Sequence, residues 1–272
     1  MAVHLLLRAG DRRHRRQHLL RSDDLLRGPF APEALRGHAI TITLRSDVSV
    51  DLIKSNASDD DVAQAARVST VGSTSTSGRP SGGLINYLMR DRHGSPFEHG
   101  SFTFVIEAPI FVAREFFRHR TGWSYNEESG RYRELRPVFY VPSPTRNLQQ
   151  VGKPGAYTFQ PGTPAQYSSV TASSKDAYQV AWNAYQNQLQ AGVAKEVARN
   201  VLPVGIFTSF WATCNPRSLM HFLSLRTMDP TSKFPSFPQR EIEMVAERME
   251  DFFHHDMPLT WQAFQANGRV AP

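Results

Sequence analysis

The chain has 272 residues, enough to bury a sizeable core. Its 40% hydrophobic and 21% charged residues, with no apolar run near the roughly 20 needed to cross a bilayer, exclude a membrane-spanning protein. A single cysteine, Cys214, excludes an intrachain disulfide and a cysteine-based zinc site, and suits a reducing, cytoplasmic setting.

The net charge of +6 is unevenly spread. Residues 1–38 carry eight arginines against four acids, while the rest holds 23 basic and 21 acidic residues. The near-neutral body does not read as a nucleic-acid binder. Residues 1–38 are expected to be a basic, disordered extension, because blocks of like charge are usually solvated. A short basic helix or a transit-like segment is the alternative. The ordered domain is expected over 39–272.

Ile40, Ile42 and Leu44 alternate as in a strand. Ser58 and three aspartates then open a helix, with Val62, Ala65, Ala66 and Ser69 on one side. Residues 72–83 form a Ser/Gly/Thr loop. LINYLMRDRHG predicts a helix with Gly94 just past its end. Residues 101–108 alternate Phe102, Phe104 and Ile106 against polar neighbours, a strand, and Pro109 then opens a helix running to Arg120. Residues 122–146 read as turns and extended chain, and 147–173 as a loose surface insertion. Ala177, Val180, Ala181, Ala184, Tyr185 and Leu189 keep helical period up to Gly192, and a short helix follows over 195–202. Asn215-Pro216 is a cap and first-turn pair for the helix ending at Arg226. The last helix is expected from Pro238 to His254, with Ile242, Val245, Met249 and Phe252 inward. The pattern is that of one α+β domain.

The chemistry concentrates in Arg118-His119-Arg120 and the SYNEESGRYRE stretch at 124–134. On a helix, three adjacent residues point about 100° apart, so the first three suit two charged ligands side by side, or one ligand and a partner chain. Ser129-Gly130 makes a small-residue turn whose N–H groups can meet phosphate oxygens, with Arg131 and Arg133 following. The competing reading is a salt-bridge cluster with Glu115, Glu127, Glu128 and Glu134.

RHR, a spacer, then SYNEESGRY closely resembles the signature of the flavin-dependent thymidylate synthases (the ThyX family). The family pattern places seven residues between RHR and the serine; here there are eight, with the extra one in Thr121-Gly122-Trp123. AARVS (65–69), HGSPFEH (93–99), APIFVAREFFRHR (108–120), FYVPSP (139–144), EVARNVLP (196–203), NPRSLMHFLSLR (215–226) and the PQREI that opens the last helix resemble further family blocks in family order.

The resemblance implies an antiparallel sheet flanked by helices, and a homotetramer with sites between subunits. It implies methylation of dUMP to dTMP with methylenetetrahydrofolate as carbon donor and FAD reduced by NADPH. Arg226 matches the arginine that contacts and helps ionise the uracil ring. Glu115, Arg118, Glu127, Ser129, Gly130, Arg131 and Arg199 match dUMP contacts. Ser69, Ser95, Glu98, Arg118, His119, Arg120, Asn215, Arg217 and His221 match flavin contacts, and His93 a position near flavin and folate. The family often carries Gln at Glu115 and Asn at His221.

The residues themselves fit that chemistry. Methylating C5 of uracil needs either a cysteine thiolate added to C6 or a cation that polarises the carbonyl–N3 edge. Cys214 lies in an apolar run (IFTSFWATC), which reads as a buried, inert thiol. Arg226 stays charged and ends an otherwise apolar helix. No G-x-G-x-x-G is present, so no Rossmann site is expected, and the histidines have no metal-ligand spacing, so no metal is expected. No nucleic-acid or membrane partner is expected.

Overall fold

The computed structural model describes residues 41–72, 80–153 and 156–272. The expectations for residues 1–38, for Ile40 and for most of the 72–83 loop lie outside these. Residues 40–272 form one compact unit.

Alternation of large apolar residues builds the central sheet. Strand β1 is Thr43–Arg45 and β2 is Ser49–Ser55. In β3 (Phe102–Pro109), Phe102, Phe104 and Ile106 are fully buried. The run read only as apolar becomes the interior strand β8 (Phe207–Cys214), which pairs antiparallel with β3 on one side and with β4 (Trp123–Glu127) on the other. Its burial alternates, with Phe210, Ala212 and Cys214 inward and Trp211 on the exposed face, but Phe210 and Trp211 are adjacent large apolar residues, so the sequence shows no apolar–polar alternation. The sheet order is β2-β3-β8-β4; β5 (Val138–Tyr140) pairs in parallel with β1.

Capping chemistry sets the helix starts. Ser58 Oγ accepts from Asp61 N at 3.1 Å, and α1 (Asp59–Val71) begins there. Helix α2 spans Gly82–Arg90 and α3 spans Ile110–Phe116. The 27-residue α4 is Pro164–Gln190, followed by the short α5 (Lys195–Ala198). Asn215 Oδ1 accepts from Ser218 N at 2.8 Å to start α6 (Pro216–Arg226). Helices α7 (Arg240–Asp256) and α8 (Pro258–Ala266) complete the described chain. Phe222 of α6, Phe253 of α7 and Phe264 of α8 share one core with Phe102, Phe104, Phe116 and Phe210. A smaller core holds Phe139, Trp182, Tyr185 and Ile206 beneath α4.

Several expectations need correction. The helix after β3 stops at Phe116, so Arg118-His119-Arg120 lies in a turn and the 100° argument does not apply. A tertiary contact marks the break: the Tyr125 hydroxyl on β4 donates to His119 O at 2.7 Å, while Phe116 O accepts from His119 N at 3.0 Å, closing a tighter turn in place of the next helical bond. Pro109 ends β3 and caps α3 from outside. Helix α2 ends at Arg90, and Gly94 instead precedes a 3₁₀ turn over Ser95–Glu98.

The supposed loose insertion is ordered. It forms the hairpin β6 (Asn147–Lys153) with β7 (Ala156–Pro161), then the first turns of α4. The helix signal was in the sequence, because Thr163-Pro164-Ala165-Gln166 is a capping box with Pro at the first position. On α1, Val62 and Ala63 are buried while Ser69 is exposed; Ser69 Oγ turns back to Ala66 O at 3.0 Å. On α7 the fully buried ring is Phe253, four residues after Met249, and Phe252 is half-buried.

Candidate active site

Three groups of the expected site residues gather at different places. The first centres on Arg226, at the end of α6. Its Nε donates to His119 Nε2 at 3.0 Å, and its Nη1 lies 3.3 Å from Glu115 Oε2. Arginine only donates, so the His119 ring is neutral and carries its proton on Nδ1. Burial, the Arg226 charge and nearby His221 push the His119 pKa down to about 4. The remaining Arg226 nitrogen, Nη2, has no protein partner among the described residues.

Arg226 and Glu115 open onto a cleft of about 880 Å³. Its far walls carry Arg146, Tyr157 and Phe159 from the hairpin region, and Phe237 and Arg240 ahead of and at the start of α7. The sequence reading gives none of these wall residues a role: Tyr157 and Phe159 lie in the stretch read as a loose insertion, and Arg240 enters only as part of PQREI. Arg146 is fixed by the buried Glu241 at 2.9 Å and by Asn147 O at 2.7 Å. The exposed aromatic rings beside it were the available signal.

The second group lies at the other end of β4. Glu127 Oε1 accepts from Thr208 Oγ1 at 2.7 Å. In the turn that follows, Arg131 N donates to Ser129 Oγ at 3.2 Å. Gly130 is closely packed: a Cβ there would come within 3.1 Å of Leu135 Cδ1 and 3.2 Å of Arg199 Cδ, so Arg199 lies against the Ser129–Arg131 turn. Arg131 also pairs with Glu196 at 3.0 Å, and Arg133 with Glu128 at 3.4 Å. Of the acids in the salt-bridge reading, Glu128 pairs with Arg133, whereas Arg131 pairs outside that set with Glu196. Such exposed pairs contribute only about 0–1 kcal/mol and can open for a phosphate. Glu115, by contrast, pairs with Arg226, and Glu134 accepts from Gln186.

The third group surrounds the start of α6. Arg217 Nη1 donates to Glu98 Oε1 at 2.6 Å, and the guanidinium lies against Gly94 beside Ser95. Asn215 is occupied in capping α6. The extra residue before SYNE is accommodated here: Gly122 takes a φ of 70°, and a side chain there would collide with Ser218 Oγ. Ser218 Oγ in turn donates to Thr121 O at 3.0 Å. His93 and His221 are exposed, with His93 beside Tyr87 at 5.5 Å. Ser69 sits at the exposed end of α1 and is not brought into contact with these groups by any described hydrogen bond.

The residues suit a flavin dinucleotide. Arg118 and Arg120 are exposed and, among the described residues, have no side-chain hydrogen bond or ion pair, so both are available to a diphosphate. Cys214, by contrast, is only 2% exposed in the interior strand, and burial raises its thiol pKa. A thiolate nucleophile is not available there.

The neutral state of His119 has a measurable consequence. Between pH 4 and 6.5 the folded protein binds fewer protons at this ring than the unfolded chain does, so stability rises with pH through that window. Below pH 6.5 the native protein should lose stability faster than a His119→Gln variant, in which an amide oxygen keeps the acceptor. Urea midpoints that fall in parallel for the two proteins would contradict this.

Comparison with known proteins identifies the family. The family described as "Thymidylate synthase complementing protein" matches residues 51–259. A flavin-dependent thymidylate synthase from Streptomyces coelicolor is 62% identical over 236 residues, covering 85% of this chain and 96% of the relative. One from Thermus thermophilus is 38% identical over 229 residues, covering 83% and 78%. A crystal structure of a UMP/dUMP methylase, PolB from Streptomyces cacaoi, bound with 5-bromo-UMP, is 54% identical with a TM-score of 0.80, covering 85% of this chain and 100% of that one. The chain therefore belongs to the flavin-dependent thymidylate synthase family.

Proposed function

We propose that the protein methylates C5 of dUMP to give dTMP, with methylenetetrahydrofolate as carbon donor and FAD reduced by NADPH. The observation that carries the reading is the Arg226 guanidinium, held by His119 and Glu115 at the mouth of the cleft, in a chain whose one cysteine is sealed in the sheet.

Held from two sides, Arg226 lines the cleft with Nη2 unpartnered among the described residues and needs no reorganising to use it. Beside the carbonyl–N3 edge of uracil it stabilises the negative charge that develops as C5 becomes nucleophilic. Neutral His119 fixes the guanidinium without cancelling its charge. The Ser129–Arg131 turn and Arg199 hold the phosphate, with Glu127 nearby. Arg118 and Arg120, with Arg217, Glu98 and Ser95, hold the flavin; Asn215, His221 and Ser69 are assigned to it by position in the family pattern. When bound, the flavin supplies the hydride that completes the methyl group. His93 lies on the side assigned to flavin and folate.

The Arg226 group and the Ser129–Arg131 group sit at opposite ends of β4, and no described hydrogen bond or ion pair joins them. This favours sites completed between copies of the chain, as in a homotetramer. The single unpaired thiol fits a cytoplasmic enzyme. No helix among the described residues is long and apolar enough to cross a membrane.

The solved relatives favour one second reading, methylation of UMP, since they are described as UMP/dUMP methylases. Both readings share the base chemistry, and turnover of the two nucleotides side by side separates them. The route is tested by Cys214→Ala, which should retain turnover and cost folding about 1 kcal/mol. A folded Cys214→Ala protein without turnover would restore the thiolate route.

A further inference from the structure

We propose that residues 268–272 strap the helix bearing Arg226, and that Arg269 is a positioning residue for the reaction. This rests on the role given to Arg226 above. Helix α6 has eleven residues, so it is about 16 Å long. The strap is tied to both ends of it. Arg217 Nε, in the first turn, donates to Pro272 O at 2.6 Å. Arg269 Nη2 donates at 2.7 Å to the hydroxyl of Thr227, the residue directly after Arg226.

That hydroxyl has a second task. Thr227 Oγ1 donates to Leu223 O at 2.7 Å, and Thr227 N donates to the same carbonyl at 3.0 Å, closing the last turn of α6. Arg269 thus orients the group that ends the helix. Arg269 is itself immobilised: it is 3% exposed and forks onto Glu250 of α7 at 2.6 and 2.7 Å. Its guanidinium lies 5.0 Å from the Phe264 ring of α8. Its backbone holds φ 55°, which a non-glycine residue keeps only where its surroundings fix it. Glu250 also accepts from Trp261 of α8 at 3.0 Å, so Arg269 joins the residue after α6 to α7 and α8.

Glu115 and His119 hold the tip of Arg226, and the strap holds its backbone. A small rotation of the last turn would pull the guanidinium from one hold or the other. The match to the family description ends at residue 259, before the strap begins.

The test compares Thr227→Val, Thr227→Ser, Arg269→Lys and Arg226→Ala in the full chain. The readouts are kcat, KM for dUMP, bound flavin and thermal midpoint. Thr227→Val cuts the tie while leaving the Arg269–Glu250 pair. Misplacing a reacting group by about 1 Å costs up to about a hundredfold, so Thr227→Val and Arg269→Lys should lower kcat about tenfold to a hundredfold with flavin content unchanged. Thr227→Ser, which keeps the hydroxyl, should restore kcat. Folded Thr227→Val protein with a parental kcat and only a lowered midpoint would overturn the proposal and leave the strap a structural clamp. Retained turnover in Arg226→Ala would instead overturn the reading on which the proposal rests.

Discussion

Replacing Arg226 by alanine is expected to lower kcat for C5 methylation by about 10²–10³-fold, the loss typical of removing one preorganised charge-stabilising donor. The guanidinium is fixed before substrate arrives, by His119 at 3.0 Å and Glu115 at 3.3 Å, so its alignment costs nothing at the moment of reaction. Flavin content should be unchanged, because Arg118 and Arg120 make no hydrogen bond or ion pair to Arg226 among the described residues and Arg217 sits at the far end of α6. Lysine should recover only part of the rate. It keeps the charge, but as a single point it cannot reproduce the planar fork that reaches His119 and Glu115 while leaving a third nitrogen for the base. Steady-state kinetics and flavin absorbance on the purified variants check both statements, and an alanine variant with parental kcat would refute the assigned role.

Replacing Phe116 by alanine should destabilise the protein by about 3–5 kcal/mol. Phe116 is fully buried, and its ring centroid lies 4.6 Å from Phe222, 5.3 Å from Phe210 and 5.4 Å from Trp123. These three rings belong to α6, β8 and β4, so one side chain joins the RHR turn to the helix carrying Arg226. The lost transfer energy and the cavity add to the lost edge-to-face contacts, each about 0.5–1.5 kcal/mol. Equilibrium urea unfolding reads the change. A loss below about 1 kcal/mol would mean that the rings around the site repack without Phe116.

What the sequence made legible was local. Ser58 and Asn215 are caps within three residues of the groups they satisfy, and both helices begin where those residues stand. The alternation in β3 needs only its own eight residues. The last part of α4 is helical as expected, but of its expected face Tyr185 is buried while Ala177 and Val180 are exposed, and Trp182 shares the core side; Gly192, at φ 80°, takes the left-handed conformation just past the helix end. The start of α4 was equally local, and its capping box was overlooked because polar, Gly-rich sequence surrounds it.

What was not legible depends on distant partners. The end of α3 is marked by a bond from a tyrosine on another element, and β8 is identified by its neighbours on both sides. The hold on Arg226 comes from residues more than a hundred positions away, so no spacing rule reaches it. The family resemblance named Arg226, Glu115 and His119 separately, and assigned them to nucleotide and flavin. Their contact with one another, with His119 as a neutral acceptor, comes from the fold alone.

The account is tested most directly by measuring dTMP formation from dUMP with methylenetetrahydrofolate and NADPH, with and without FAD. Turnover that appears only when FAD is supplied or already bound is the predicted result. Turnover in flavin-free protein would contradict the central claim and return the chemistry to a protein nucleophile.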